Sequence, residues 1–93
     1  MTIYDQLAKK IIMEQALLMG PVAWKQASEV DGLHIDEKSK EILVDENDGI
    51  VIIDRLVNRY GNLFGRAGRE FCKEAVSSLI ADLSPTQVPA SLK

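Results

Sequence analysis

The chain has 93 residues, of which 46% are hydrophobic and 27% are charged, an ordinary balance for one globular domain. This length allows one core but little depth for a catalytic cleft, and the net charge of −3 argues against nucleic acid as the default partner. The single cysteine, Cys72, excludes an internal disulfide and a multi-thiolate metal site. With no basic signal sequence and no apolar run beyond four residues, we expect a cytoplasmic protein without membrane contact.

The first thirty residues predict two helices separated by a glycine–proline pair. Thr2 is a good N-cap, and apolar residues recur every three to four positions up to about Met19. Pro21 lacks an amide N–H and suits the first position of a new helix, so a short second helix is predicted over about 21–30. A kink inside one long helix is the alternative.

The next segment predicts a short β-hairpin. Asp31 and Gly32 form a turn signal, and apolar residues then alternate with polar ones. The predicted strands are Leu33–Asp36 and Glu41–Val44. A loop with one helical turn over 37–43 is the alternative.

Two further helices are predicted in the second half, over about 50–64 and about 66–83. Gly65 separates them, and the Ser84-Pro85 pair ends the second. Residues 1–83 are therefore expected to form a single helical domain. The remaining residues, 84–93, contain two prolines and little to bury, so we expect a flexible C-terminal tail.

A weak internal repeat relates the two halves. The segment LMGPVA at 18–23 resembles the segment LFGRAG at 63–68, which lies 45 residues later. Each segment follows one predicted helix and precedes another. The fold class predicted is mainly α, with about four helices in two helix–glycine–helix units that pack as a small bundle. The predicted core follows the apolar stripes and contains Leu7, Ile11, Leu18, Val22, Ile53, Leu56, Val57, Tyr60, Leu63, Phe71, Val76, Leu79 and Ile80.

Gly65, Arg66, Gly68 and Arg69 are the candidate ligand-binding residues. Glycines allow close backbone approach, a helix N-terminus offers free N–H groups, and arginine provides a fork for phosphate. The spacing matches neither the Walker phosphate loop nor the dinucleotide fingerprint. The structural alternative is that the glycines cap one helix and let two helices come close.

No constellation for catalysis or metal binding emerges. His34 lies beside acidic residues, but no three or four ligands converge on it, so a surface histidine is expected. Cys72 stands on an apolar stripe, which favours a buried and inert thiol. The acidic loop 45–49 lacks carboxylates at the first and last positions of a calcium loop. We therefore expect no enzyme activity, no cofactor and no metal.

The candidate partner-interface residues are Trp24, Arg55 and Arg59. Tryptophan is enriched in interface cores, and the two arginines share one helix face. Charge is also uneven, because 29–48 holds eight acids against two lysines (net −6) whereas 54–74 holds five bases against three acids (net +2). Such a distribution can orient a partner by complementarity.

The MGPVA phrase at 19–23, following an apolar helix, is similar to short helical modules of bacterial multidomain signalling proteins. That resemblance implies a regulatory or adaptor role and identifies no family and no site residues. The function expected is a non-enzymatic protein–protein interaction module for signalling or complex assembly, bound to a protein partner or to itself as a homodimer. The alternatives are a small domain for anionic ligands such as phosphate or a nucleotide, and a nucleic-acid-binding protein.

Overall fold

A computed structural model describes residues 2–36 and 38–93 as three α-helices and one two-stranded antiparallel hairpin. The helices α1 and α2 precede the hairpin, a long helix α3 follows it, and α1 packs against both other helices and against the second strand. The elements are α1 (Ile3–Met19), α2 (Val22–Ser28), β1 (Leu33–Asp36), β2 (Glu41–Val44) and α3 (Gly49–Ile80), with single 3-10 turns at Glu46–Asp48, Pro85–Gln87 and Ala90–Leu92.

The start of α1 is held by a capping box that also reaches the hairpin. The Thr2 hydroxyl accepts from the Asp5 N–H, and Asp5 Oδ2 accepts from the Thr2 N–H at 3.0 Å. The other carboxylate oxygen accepts from the Val44 N–H at 2.7 Å. Asp5 is buried, so these bonds compensate the loss of water around its carboxylate and fix α1 against β2.

The predicted hairpin is confirmed with the predicted strand bounds. Leu33 pairs with Val44 and Ile35 with Ile42, which places these apolar residues on one face, towards the core. The turn closes with the Lys40 N–H donating to the Asp36 carbonyl at 2.8 Å, and Lys40 takes a positive φ of 61°.

The structure has three helices rather than the four predicted. The break after Met19 is a complete one, because Gly20 separates α1 from α2 with φ 67° and ψ −146°. The second predicted break is a kink within one helix: α3 runs from 49 to 80 with non-helical angles at Gly65, φ 63° and ψ −146°. The two glycines, 45 residues apart, therefore share one backbone conformation, which L-residues rarely adopt.

Most of the predicted core is buried, but Leu18, Val22 and Leu63 are exposed, and those three predictions are wrong. All three lie within three residues of Gly20 or Gly65, at the end of the molecule where no further element covers the helices. The buried core also contains Cys72, whose burial was predicted, and residues that were not predicted for it: Ala8, Ile12, Ala23, Ala27, Val30, Leu33, Ile42, Val44, Ile52, Val88 and Leu92.

The C-terminal segment packs against α3. Val88, Pro89 and Leu92 are buried, and the Ser91 N–H donates to Asp54 Oδ1 at 3.0 Å. The expectation that this segment has little to bury is therefore wrong. Its flexibility stays a prediction that these contacts oppose.

Across the described residues, none of the helices combines the length and the apolar character that crossing a membrane requires.

Candidate functional site

Six large apolar side chains near the two glycines are between 47% and 79% exposed. Leu17 is 79% exposed, Leu18 is 66% exposed and Phe64 is 50% exposed. All six lie within seven residues of Gly20 or Gly65 along the chain. We call the part of this surface that Leu18 and Phe64 form the corner face, whereas Leu63 lines a polar groove between α2 and α3. The six side chains are those of Met13, Leu17, Leu18, Val22, Leu63 and Phe64.

A cavity of about 390 Å³ opens on the corner face. It brings the end of α1 together with the α3 residues beside Gly65, so the two glycine positions meet at one end of the molecule. No charged side chain lines it. This corner cavity is lined by Gln15, Leu18, Met19, Phe64, Ala67, Gly68 and Phe71.

Gln15 lines the corner cavity from its buried side. Gln15 is buried and donates from Nε2 to the Gly68 carbonyl at 3.2 Å and to Cys72 Sγ at 3.2 Å. The residue 45 positions later is Tyr60, whose hydroxyl donates to the Ala23 carbonyl at 2.8 Å. Ala23, whose carbonyl accepts the Tyr60 hydrogen bond, lies 45 positions before Gly68, whose carbonyl accepts the Gln15 hydrogen bond. The two buried hydrogen bonds are therefore reciprocal: each joins one half of the chain to the equivalent position of the other half.

Of the predicted ligand-binding residues, two pack within α3. A Cβ on Gly68 would lie 2.9 Å from the Tyr60 carbonyl oxygen, so only glycine lets the two parts of α3 approach at the kink. The Arg69 side chain lies over Gly61, at a distance that leaves no room for a Cβ there. Arg66 is exposed. This arrangement favours the structural alternative for Gly68.

Two of the three predicted interface residues, Arg55 and Arg59, line a polar groove between α2 and α3. Arg59 donates from Nε to Gln26 Oε1 at 2.9 Å and forms an ion pair with Glu29. Arg55 donates to the Asp31 carbonyl at 3.4 Å. Both arginines therefore contact the N-terminal part of the acidic stretch, and these contacts hold α2 and the turn after it against α3.

Trp24 is partly buried against the core, and the Lys40 ammonium lies 4.5 Å from its ring centroid. This cation–π contact joins α2 to the hairpin turn. Trp24 does not line the groove that Arg55 and Arg59 form, so the structure does not bring the three predicted interface residues to one site.

The Cys72 thiol is held in a state that does not favour reaction. Burial raises the pKa of the Cys72 thiol to about 11, against a smaller lowering by the Gln15 hydrogen bond, so the thiol is protonated at neutral pH. His34 is exposed and lies 3.2 Å from Asp45. Within 2–36 and 38–93, no three His, Cys, Asp or Glu side chains are close enough together to hold a metal ion.

Comparison with protein-family models, with curated proteins and with solved structures found no match. The exposure of Leu18 on the corner face differs from the sequence prediction, which assigned Leu18 to the core. The adjacent pair Leu17 and Leu18 was the available signal, since one helix stripe cannot bury two neighbouring positions equally well.

Proposed function

We propose that this chain is a non-enzymatic protein-interaction module, a regulatory or adaptor domain of cytoplasmic complexes, that docks through the corner face. The observation that carries the proposal is the exposure of Leu18 and Phe64 at the rim of an apolar cavity. Soluble monomers rarely expose contiguous apolar patches of more than a few hundred Å², and larger ones mark binding surfaces.

Burial of this face supplies the driving force in the proposed mode of binding. Each half-exposed leucine or phenylalanine gains about 1 kcal/mol when a partner removes it from water. The corner cavity receives an anchoring side chain, which is the arrangement found at the energetic centre of protein interfaces. The acids of 29–48 and the bases of 55–69 set the orientation of approach, as the charge distribution predicts.

The proposed module is built from two helix–glycine–helix units related by 45 residues. Three observations support this internal repeat: the shared angles of Gly20 and Gly65, the reciprocal hydrogen bonds of Gln15 and Tyr60, and matched burial. Equivalent positions in the two halves are buried together, namely Leu7 with Ile52, Ala8 with Ile53, Ile11 with Leu56 and Ile12 with Val57.

The proposal predicts that one charge on the corner face abolishes binding. Immobilised wild-type chain is expected to retain a partner from nuclease-treated native lysate, whereas Leu18→Glu loses at least about 10-fold of the bound amount, because a desolvated carboxylate opposes burial. Leu43→Glu is the matched control, since Leu43 is 52% exposed but lies on the hairpin. Retention that is equal for all three proteins, quantified by mass spectrometry, contradicts the role of the corner face.

Binding of an anionic ligand at Arg66 and Arg69, and binding of nucleic acid, remain the alternative predictions. An NMR titration with inorganic phosphate and with nucleotides tests the first. Shifts that are confined to 65–69 and lost in the double variant Arg66→Ala/Arg69→Ala would favour the ligand site. A salt-dependent gel shift tests the second alternative.

A further inference from the structure

We infer that a groove between α1 and α3 receives an arginine side chain of the protein partner, which pairs with Glu14 and Glu74 and stacks on Phe71. This inference rests on the proposed function, which it deepens by naming the chemistry of one partner contact. The groove encloses about 240 Å³. We call it the Glu14 groove, and it is lined by Lys10, Glu14, Phe71, Glu74 and Ala75.

The Glu14 groove corresponds residue by residue to the polar groove between α2 and α3. Every residue that lines it lies 45 positions from a residue that lines the polar groove. The polar groove contains a bound guanidinium, because Arg59 reaches from α3 to α2, pairs with Glu29 and donates to Gln26. One groove thus contains the ion pair that the other lacks. The five correspondences are Lys10 with Arg55, Glu14 with Arg59, Phe71 with Gln26, Glu74 with Glu29 and Ala75 with Val30.

The charges of the Glu14 groove are unbalanced, in contrast to those of the polar groove. Glu14 stands at the position of Arg59, so two glutamates line the groove where the counterpart has an arginine and a glutamate. Among the described residues, the lining carries these two acids and one base (net −1), whereas the polar groove carries two of each (net 0). One bound cation therefore brings the Glu14 groove to the balance of its counterpart.

The two glutamates differ in how far the chain itself compensates them. Lys10 Nζ lies 3.3 Å from Glu14 Oε1, one turn away on α1. In the part of the chain that the structure describes, Glu74 takes part in no ion pair. Glu74 is exposed and Glu14 is half-buried, so both carboxylates are within reach of a side chain that enters from outside.

Phe71 makes an arginine the fitting occupant. It stands where the polar groove has the Gln26 amide, so the Glu14 groove offers a ring in place of an oxygen acceptor. A guanidinium stacks on an aromatic face and keeps the N–H groups at its edge free for carboxylates, whereas an ammonium is a compact point charge. Phe71 also lines the corner cavity, so a partner on the corner face lies beside the Glu14 groove.

A titration of the full chain with acetyl-arginine amide, followed by backbone NMR at low ionic strength, tests the site. Saturating shifts are expected at 10–14 and 71–75, with a Kd on the order of 10 mM for this single side chain. Acetyl-citrulline amide has nearly the same shape without the charge and should bind at least about 10-fold more weakly. Acetyl-lysine amide has the charge without the plane and should bind at least about 3-fold more weakly.

Two variants of the groove sharpen the test. Glu74→Gln removes one acid and should raise the Kd for acetyl-arginine amide at least about 5-fold. Glu14→Arg recreates the pair of Arg59 and Glu29 in the Glu14 groove, so it should abolish the saturating shifts without lowering the urea midpoint. Glu70→Gln is the matched control, because Glu70 is exposed on the same helix but does not line the groove, and it should leave the Kd unchanged.

The inference is overturned by any of three results: no saturating shift at 10–14 and 71–75 up to about 50 mM probe, equal affinity for the arginine and citrulline probes, or a Kd that neither groove variant changes. The lysate experiment with Leu18→Glu does not involve the Glu14 groove. The proposed function therefore stands without this contact if only the titration fails, and it fails if Leu18→Glu loses no partner.

Discussion

Cys72 and Tyr60 form a buried pair whose chemistry is set by the loss of water. Both side chains are completely buried, and burial raises the pKa of each, with the nearby Cys72 raising that of Tyr60 further. Both groups are therefore neutral at physiological pH. Gln15 occupies the same region and donates to Cys72 Sγ, so a neutral hydrogen-bonded cluster lies beneath the corner cavity.

The raised pKa of Cys72 predicts a loss of stability in alkaline solution. Above about pH 9 the unfolded thiol ionises, whereas the folded thiol stays protonated until about pH 11, so the unfolded state gains as pH rises through this window. We expect the free energy of unfolding to fall by about 1 kcal/mol between pH 8 and pH 10. Urea unfolding at these two pH values measures it. Cys72→Ala should show a smaller fall, and an identical fall in both proteins contradicts the assignment.

The burial of a single residue could be predicted from the sequence only where the apolar stripe of its helix packs against another helix or strand. The inert state of Cys72 followed from its position between apolar neighbours. Leu18 and Leu63 occupy stripe positions as good as those of Ile11 and Leu56, yet they are exposed. The periodicity of a helix identifies the face that is buried but not how far along its axis a neighbour extends.

At the scale of elements, Gly20 and Gly65 determine the directions of the helices. Both have positive φ with ψ near −146°, and neither has a heavy atom close to where a Cβ would stand. The backbone angles at these two positions require glycine, whereas the space around them would admit a Cβ atom. The turn from α1 into α2 and the kink of α3 therefore have the same local cause.

Replacement of either glycine by alanine tests this cause. We expect Gly20→Ala and Gly65→Ala each to lower the free energy of unfolding by about 1–3 kcal/mol, because an L-residue is strained at these angles. Chemical denaturation provides the measurement. Asn62→Ala is the control, since Asn62 is exposed on the same helix and should change stability by less than about 0.5 kcal/mol. Alanine variants as stable as this control would show that the angles are not imposed on the chain.

The positions of the hairpin and of the two breaks could be predicted from the sequence better than the number of helices. The hairpin and both breaks were signalled by local chemistry: alternation after Asp31 and Gly32, the proline after Gly20, and the glycine after Phe64. The continuity of α3 was not signalled, because one glycine can either end a helix or kink it. The packing of Gly68 against the Tyr60 carbonyl decides between these outcomes, and it depends on contacts between the two parts of the helix.

At the scale of the whole molecule, the C-terminal segment completes the core. Removal of 84–93 exposes the surface that Val88, Pro89 and Leu92 cover and removes the Ser91 bond to Asp54. We expect the truncated chain to lose about 3 kcal/mol or more of its free energy of unfolding in urea.

Thr86→Ala is the control for this truncation, because Thr86 is exposed in the same segment and its loss should be nearly neutral. A truncated chain with wild-type stability would instead confirm the flexible tail that composition predicts. Composition did not predict these contacts, because two prolines do not prevent a short segment from burying the apolar residues between and after them.

The reciprocal bonds of Gln15 and Tyr60 have a consequence for how the chain folds. They join residues 53 and 37 positions apart, so neither half can satisfy its own buried polar group. A helical chain of this size usually folds rapidly because its contacts are local. The two bonds form only once α1, α2 and α3 have come together, so we expect the two halves to fold in one concerted transition rather than one after the other.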